Sequence, residues 1–190
     1  MNGASSHLDR FAVIQAATRA HRADHGCGAY TFEDGLGLRQ LAAHWQPRRV
    51  LELGTALGYT ACCLADGILL AHLDTIEADA DHVKLARLHI AQSGLGSRVT
   101  VHRVRFEDLI RNLDSGYDMI FFDGFAPDPS LTRDLHERLV AGGLLICSNL
   151  QLASEVDTRA LRRDLDDPAR WRREEPIERG ATQVRVKSGA

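Results

Sequence analysis

Residues 49–60 read R-V-L-E-L-G-T-A-L-G-Y-T, and this stretch decides the fold. Val50–Leu53 has the composition of a buried strand, and Gly54 and Gly58 then mark a turn. A helix-like segment, Tyr59–Ala71, follows. Strand, glycine turn and helix in this order predict part of a nucleotide-type cofactor site, because glycines let a ligand approach the backbone closely.

Two acidic residues accompany this turn. Glu52 stands two positions before Gly54, and Glu77 ends the next apolar run, Leu73–Ile76. An acid at the end of the second strand accepts hydrogen bonds from ribose hydroxyls in sites of this kind. The spacing E-x-G-x-x-x-G differs from the G-x-G-x-x-G of dinucleotide enzymes, which seat a pyrophosphate at a helix N-terminus. We therefore expect a different nucleoside cofactor.

Strands and helices alternate along most of the chain, which predicts an α/β fold with a mostly parallel, doubly wound sheet. The predicted strands are 49–53, 72–77, 98–104, 118–122 and 143–148, and the predicted helices between them are 58–71, 79–92, 106–113 and 129–140. Two further helices are predicted before the sheet, at 7–22 and 33–45.

The C-terminal part departs from this alternation. A helix is predicted at 154–166, and two extended runs near 171–178 and 181–187 follow, joined at Arg179-Gly180. Strands joined so tightly cannot be parallel neighbours, so we expect an antiparallel hairpin at the edge of the sheet.

The length of 190 residues fits one domain with a full core. We expect a single unit over 1–190, with an N-terminal helical segment at 1–46 and a cofactor-binding α/β core at 47–190.

Composition argues against several partners. The net charge of −3 and the late arginines, which interleave with acids, do not predict nucleic-acid binding. The four cysteines form no C-x-x-C pair, so a zinc site is not expected. We find no signal peptide and no run that could span a bilayer, which predicts a cytoplasmic protein with reduced thiols and no membrane partner.

From about Thr31 to Val186 the chain resembles class I S-adenosylmethionine-dependent methyltransferases, in particular the small catechol and caffeoyl-coenzyme A type O-methyltransferases. The segments that carry the resemblance are L-E-L-G-T-A-L-G-Y-T, T-I-E at 75–77, R-V-T-V-H at 98–102, Y-D-M-I-F-F-D at 117–123 and A-G-G-L-L-I-C-S-N at 141–149. The resemblance implies S-adenosylmethionine as cofactor, a small-molecule substrate and a possible homodimer. Since this cofactor has a cationic sulfur and no phosphate, carboxylates near the glycine turn are to be expected.

The resemblance also implies roles for individual residues. Asp123 would face both cofactor and substrate and would be the catalytic residue, whereas Phe125 and Asn149 would contact the substrate. Glu77 would bind the ribose, and Phe106 and Glu107 would contact the adenine. The remaining predicted cofactor-binding residues are Glu52, Gly54, Ala56, Gly58, Tyr59 and Thr60.

The chain departs from the family pattern in the substrate pocket. The family binds a divalent cation through two aspartates and an asparagine; here Asp123 and Asn149 are present, but Ser148 occupies the second aspartate position. A serine hydroxyl is a poor ligand for a hard dication, and Asp128 is the alternative acid in the same loop. Ala126 replaces the family's catalytic lysine. We therefore expect no tightly bound metal.

These observations predict S-adenosylmethionine-dependent methyl transfer to a small molecule, to oxygen or to nitrogen, with weak or no metal dependence. Asp123 would orient or deprotonate the nucleophile, and His21, His25 and His136 are alternative bases because the histidine pKa lies near working pH. The rival hypothesis is a non-catalytic S-adenosylmethionine-binding protein on the same fold. An RNA methyltransferase is a third hypothesis, disfavoured by the lack of a basic face.

Overall fold

The computed structural model describes residues 9–110 and 113–189, and of Glu107 and Ile110 only the backbone. The helices are α1 (Ala12–His25), α2 (Gly35–Trp45), α3 (Tyr59–Gly67), α4 (Ala80–Gln92), α5 (Phe106–Ile110), α6 (Pro129–Arg138) and α7 (Glu155–Leu165). The strands are β1 (Arg49–Leu53), β2 (His72–Glu77), β3 (Val99–Arg103), β4 (Tyr117–Phe122), β5 (Leu139–Cys147), β6 (Trp171–Arg173) and β7 (Gln183–Lys187). No helix among these residues is long and apolar enough to cross a bilayer.

The described strands form one sheet in the order β3-β2-β1-β4-β5-β7-β6. Strand β1 pairs in parallel with both β2 and β4, whereas β7 runs antiparallel to β5 and to β6. The α/β fold and the antiparallel hairpin at the sheet edge are therefore confirmed. The strand order reverses between β1 and β4, and ligands of such sheets bind at the carboxyl ends of the strands at this reversal.

The core has two layers, one on each face of the sheet. Leu38 of α2 and Leu64 of α3 are buried with the residues of one face. Leu135 of α6 and Leu161 of α7 are buried with those of the other. Because helices cover both faces, the strands read as continuous apolar runs, and the strand ends are left as the place for a site.

Several boundaries differ from the predicted ones. Helix α1 extends to His25, where Gly26 adopts a left-handed φ of 61° and its N–H donates to the Arg22 carbonyl at 2.8 Å. Helix α3 ends at Gly67, because Ile68 is already extended. Strand β5 begins at Leu139, four residues before the predicted start, and its register with β4 shifts between Tyr117 and Met119. Strand β6 is limited to three residues, and the hairpin is completed by an isolated bridge between Ile177 and Thr182.

Candidate active site

The glycine turn brings the end of β1 against the end of β4. Gly54 has a φ of 107°, and a Cβ atom there would lie 2.7 Å from the carbonyl oxygen of Asp123. The Asp123 N–H in turn donates to the Leu53 carbonyl at 2.9 Å. Only glycine accommodates both this backbone conformation and this approach. The turn is thus a shallow cradle for a ligand, with backbone close to its surface.

The rest of the turn is held by Glu77 at the end of β2. Glu77 Oε2 accepts from the Ala56 amide at 2.9 Å, and Oε1 accepts from the amides of Ala78 and Asp79 at 2.9 and 3.0 Å. A carboxylate offers about four acceptor sites, so these three bonds leave capacity for a ligand hydroxyl. Gly58, by contrast, is buried, with its Cβ position 3.3 Å from Ile90 of α4.

Glu52 lies beneath the turn rather than on its surface. Its side chain is fully buried, and the Thr75 hydroxyl donates to Oε2. Its Oε1 has no hydrogen-bond partner within the part of the protein that is described. Burial raises the pKa of Glu52 to about 7, although hydroxyls of Thr60 and Thr75 oppose the rise. A buried carboxylate of this kind favours a cationic ligand above it.

The side chains of Tyr59 and Thr60 are not brought to the open surface of the turn. The Tyr59 hydroxyl donates to Asp9 Oδ2 at 2.6 Å, and its ring is buried against Gly35. Thr60 is buried as well. Both residues begin α3, so their backbone, as the first turn of the helix, is the part that faces the ligand side.

Asp123 follows β4 and stands directly across from the turn. Asn149 Nδ2 donates to Asp123 Oδ1 at 3.1 Å and to the Gly124 carbonyl at 2.8 Å. The pKa of Asp123 is raised well above its usual value, first by burial and then by the charges of Glu52 and Glu178, against the hydrogen bonds from Ser148 and Asn149. A carboxylate with a raised pKa is a better proton acceptor than an ordinary aspartate.

Two phenylalanines border this loop in different ways. The Phe106 ring covers Gly124, where a Cβ atom would lie 2.3 Å from it, and packs edge-on against Phe122 at 6.1 Å between centroids. Phe125 is 77% exposed, so it offers an apolar surface at the mouth of the site. The side chain of Glu107 lies outside the described residues.

Glu178 belongs to this site, and the sequence did not reveal it. Its Oε2 accepts from the Thr182 hydroxyl at 2.6 Å, and the same hydroxyl oxygen lies 3.2 Å from Ser148 Oγ. Glu178 Oε1 accepts from the Glu33 amide at 3.0 Å. Glu178 itself has a left-handed φ of 52°, a conformation that for this residue type has a cost and often marks a functional position. The only sequence signal is the acid placed just before the Arg179-Gly180 turn.

The geometry does not fit the divalent metal site that the resemblance would imply. Asn149 turns its NH₂ group to Asp123, so the two side chains form a donor–acceptor pair rather than two ligands. Ser148 is buried beside Thr182. Asp128 caps α6, accepting from the amides of Ser130 and Leu131 at 2.6 and 3.1 Å. The expected absence of a tightly bound metal stays a prediction.

The described contacts of the three candidate histidines are made away from Asp123. His136 packs edge-on against Trp171 at 4.6 Å, and burial lowers its pKa. His21 and His25 stack on one another near the C-terminal end of α1, with centroids 4.4 Å apart. Asp123 therefore remains the base candidate that the structure places at the glycine turn.

Known proteins resemble this chain in sequence. A family described as "Methyltransferase domain" matches residues 51–150, which run from β1 past Asn149. A protein of Mycobacterium tuberculosis (strain ATCC 25618 / H37Rv) named "Probable O-methyltransferase" is 32% identical over 148 residues. The alignment covers 76% of this chain and 66% of that protein, so this chain spans about two thirds of its relative.

Solved structures share the fold. The O-methyltransferase TomG of Streptomyces achromogenes, described as involved in tomaymycin synthesis and in complex with SAM, has a TM-score of 0.77 at 21% identity, over 93% of this chain and 90% of its own. An O-methyltransferase of Bacillus cereus in complex with SAH has a TM-score of 0.74 at 19% identity, over 93% of this chain and 91% of its own. At these identities the likeness establishes the fold.

Proposed function

This chain belongs to the methyltransferase domain family, and we propose that it transfers the methyl group of S-adenosylmethionine to an oxygen atom of a small molecule. The observation that carries the proposal is the meeting of the Gly54 turn with Asp123, above the buried carboxylate of Glu52. It combines a close backbone cradle, negative potential and a proton acceptor in one place. The names of the relatives point to the same reaction class.

The residues present fit this cofactor. S-adenosylmethionine supplies a methyl group bound to a cationic sulfonium. The Glu77 carboxylate can accept a further hydrogen bond from a ribose hydroxyl. Gly54 and Ala56 are partly exposed, so the ligand can lie close to the backbone of the turn. The carboxyl groups of Glu52 and Asp123 lie beside the turn, where a cationic ligand favours their ionised forms, and the Phe106 ring gives an apolar border.

Asp123 has the properties of the residue that handles the proton of the acceptor. Its pKa is raised, and Asn149 holds one of its oxygens in a fixed orientation. We propose that Asp123 accepts the proton of the acceptor hydroxyl, or orients that hydroxyl, and that Phe125 and Asn149 contact the acceptor. Positioning of the two reactants supplies most of the acceleration in a displacement of this kind, so a divalent cation is not required.

A methyl-transfer screen with labelled cofactor tests the proposal. Catechols, phenols and amines are offered with and without Mg²⁺, and we expect turnover of a hydroxyl compound that chelator leaves nearly unchanged. Asp123→Asn should lower the rate by about 10²- to 10⁴-fold. The matched control is Asp114→Asn, an exposed acid that precedes β4, whereas Asp123 follows it.

Calorimetry, read together with the turnover screen, separates this proposal from its rival. We expect S-adenosylmethionine to bind with micromolar-range affinity, about −8 kcal/mol, and Glu77→Ala to weaken binding by about 2 kcal/mol. Firm cofactor binding without turnover of any acceptor would support the non-catalytic alternative. Binding of NAD with no heat from S-adenosylmethionine would contradict both.

A cytoplasmic location and a homodimer are also part of the proposal. The described cysteines are free thiols, which supports a reducing compartment. Sedimentation of the purified protein checks the dimer.

A further inference from the structure

The C-terminal end of α1 and the first turn of α4 bring three metal-ligating side chains together. His21 lies in α1, Cys27 in the loop after it, and His82 in α4. Their ligand atoms all lie within 4.8 Å of one another, and the His21 and His82 ring centroids are 5.2 Å apart. His82 is buried and the other two are half-buried. The fold assembles this cluster from two distant segments, which is why cysteine spacing alone argued against zinc.

We propose that His21, Cys27 and His82 bind a zinc ion, with water as the fourth ligand. Imidazole nitrogen and thiolate sulfur are the ligands that zinc prefers, at bond lengths of about 2.0–2.3 Å. In a tetrahedral site such ligand atoms lie about 3.5 Å apart. The observed separations therefore close around an ion with side-chain shifts on the order of 1 Å. Binding displaces the Cys27 thiol proton to solvent, so the metal holds a thiolate.

Carboxylates stand behind the cluster. Glu77 Oε1 lies 3.8 Å from His82 Nδ1, which is too long for a hydrogen bond but places a carboxylate beside the ring. Asp79 caps α4 beside His82, and its Oδ1 accepts from the His82 amide at 3.0 Å. Their negative charge favours a cation in the cluster.

The nearby positive groups have partners of their own. Arg19 pairs with Glu33 at 2.8 Å, and the Arg22 guanidinium stacks 3.7 Å above the Tyr30 ring. A cavity of about 380 Å³ is lined in part by Arg19, Arg22, Tyr30 and Cys27, and it gives an ion a route from solvent. His25 stacks on His21 but is not one of the three clustered side chains.

An ion here would fasten the N-terminal segment to α4. Because it binds the folded protein in preference to the unfolded chain, zinc would stabilise the fold by an amount that grows with the logarithm of its concentration relative to its dissociation constant. The test measures metal ligation and stability rather than methyl transfer, so the proposal holds or fails whatever the reaction is.

The test uses untagged, reduced, metal-free protein titrated with Co²⁺, which reports tetrahedral geometry and thiolate ligation by its absorption. We expect one equivalent to bind with a sulfur-to-cobalt charge-transfer band, and Zn²⁺ to displace it. The other described cysteines are buried, so this band reports Cys27. Zinc should also raise the melting temperature.

Matched variants decide the assignment. Cys27→Ser should abolish the charge-transfer band, and Cys27→Ser and His21→Ala should each lower metal affinity by at least about tenfold. His25→Ala removes a histidine from the same helix and should keep the band, the affinity and the zinc-dependent melting shift. Circular dichroism without metal checks that each variant is folded. No binding at one equivalent, no thiolate band, or equal affinity in Cys27→Ser and native protein would overturn the proposal.

Discussion

The two halves of the candidate active site are built in different ways. The glycine-turn half, residues 52–60 with Glu77, comes from one short stretch of chain and is held mainly by backbone amides. The acceptor half consists of Asp123, Ser148, Asn149, Glu178 and Thr182, which come from three strand ends and are held by side chains. A cradle made by local backbone geometry can be read in sequence, whereas a network made by strand pairing cannot.

The largest effect we expect comes from Gly54→Ala, which changes the backbone of the glycine-turn half. The methyl group meets the Asp123 carbonyl at 2.7 Å in a left-handed conformation, so strain and overpacking together should cost about 5 kcal/mol of unfolding free energy. Urea denaturation measures it. Gly94→Ala is the control, because Gly94 has a φ of 75° with no atom within 4 Å of its Cβ position. It should lose only about 1 kcal/mol. Equal losses would show that the close approach to β4 contributes nothing.

Ser148→Asp tests whether the acceptor half lacks a metal site because Ser148 replaces an aspartate. Ser148 is 3% exposed and lies between Asp123 and Thr182. An aspartate at this position would be a third buried acid beside Asp123 and Glu178. Without metal we expect a loss of about 4 kcal/mol in urea denaturation at neutral pH. Adding Ala126→Lys and Mg²⁺ should recover part of it and create metal binding.

Ser148→Asn is the neutral control for that change, similar in size but without charge. If Asp and Asn destabilise the protein equally, repulsion among carboxylates is not what governs this half of the site.

Glu52 gives the glycine-turn half a pH dependence. Its pKa rises from 4.5 in the unfolded chain to about 7 in the folded protein, chiefly because burial disfavours the charged form. The folded protein therefore holds this proton more tightly, so the stabilisation is complete below pH 4.5 and is lost as the pH rises through 7. The change amounts to about 3 kcal/mol.

Glu52→Gln should remove that dependence. Denaturation of the ligand-free protein at pH values across this window should show a falling stability for the native chain and a flatter curve for the variant. If the curves of the native protein and of Glu52→Gln run parallel, folding does not raise the pKa of Glu52.

The fold and the first half of the site could be predicted because their signals are local. The alternation of strands and helices predicted that most of the sheet is parallel, and the E-L-G-T-A-L-G stretch predicted the glycine turn. Glu178 was missed because its position depends on the antiparallel pairing of β5 with β7, which sets Cys147 opposite Gln183 and so brings Thr182 beside Ser148. Tyr59 differs in another way: it lies in the motif, but its hydroxyl donates to Asp9, so its side chain packs against the N-terminal segment.

The smallest effect we expect is the most informative about the acceptor half. Glu178→Gln keeps an oxygen for Thr182 or for the Glu33 amide but removes a negative charge that raises the Asp123 pKa. Stability should fall by about 1 kcal/mol. If Asp123 takes the acceptor proton, activity rises as Asp123 ionises, and the lower pKa of the variant should move this acidic limb to lower pH by less than about one unit. Glu175→Gln, an exposed acid of the same connection, is the matched control and should leave the limb in place. A limb that stays unmoved in Glu178→Gln would separate Glu178 from Asp123 and would leave the acceptor half with a single working carboxylate.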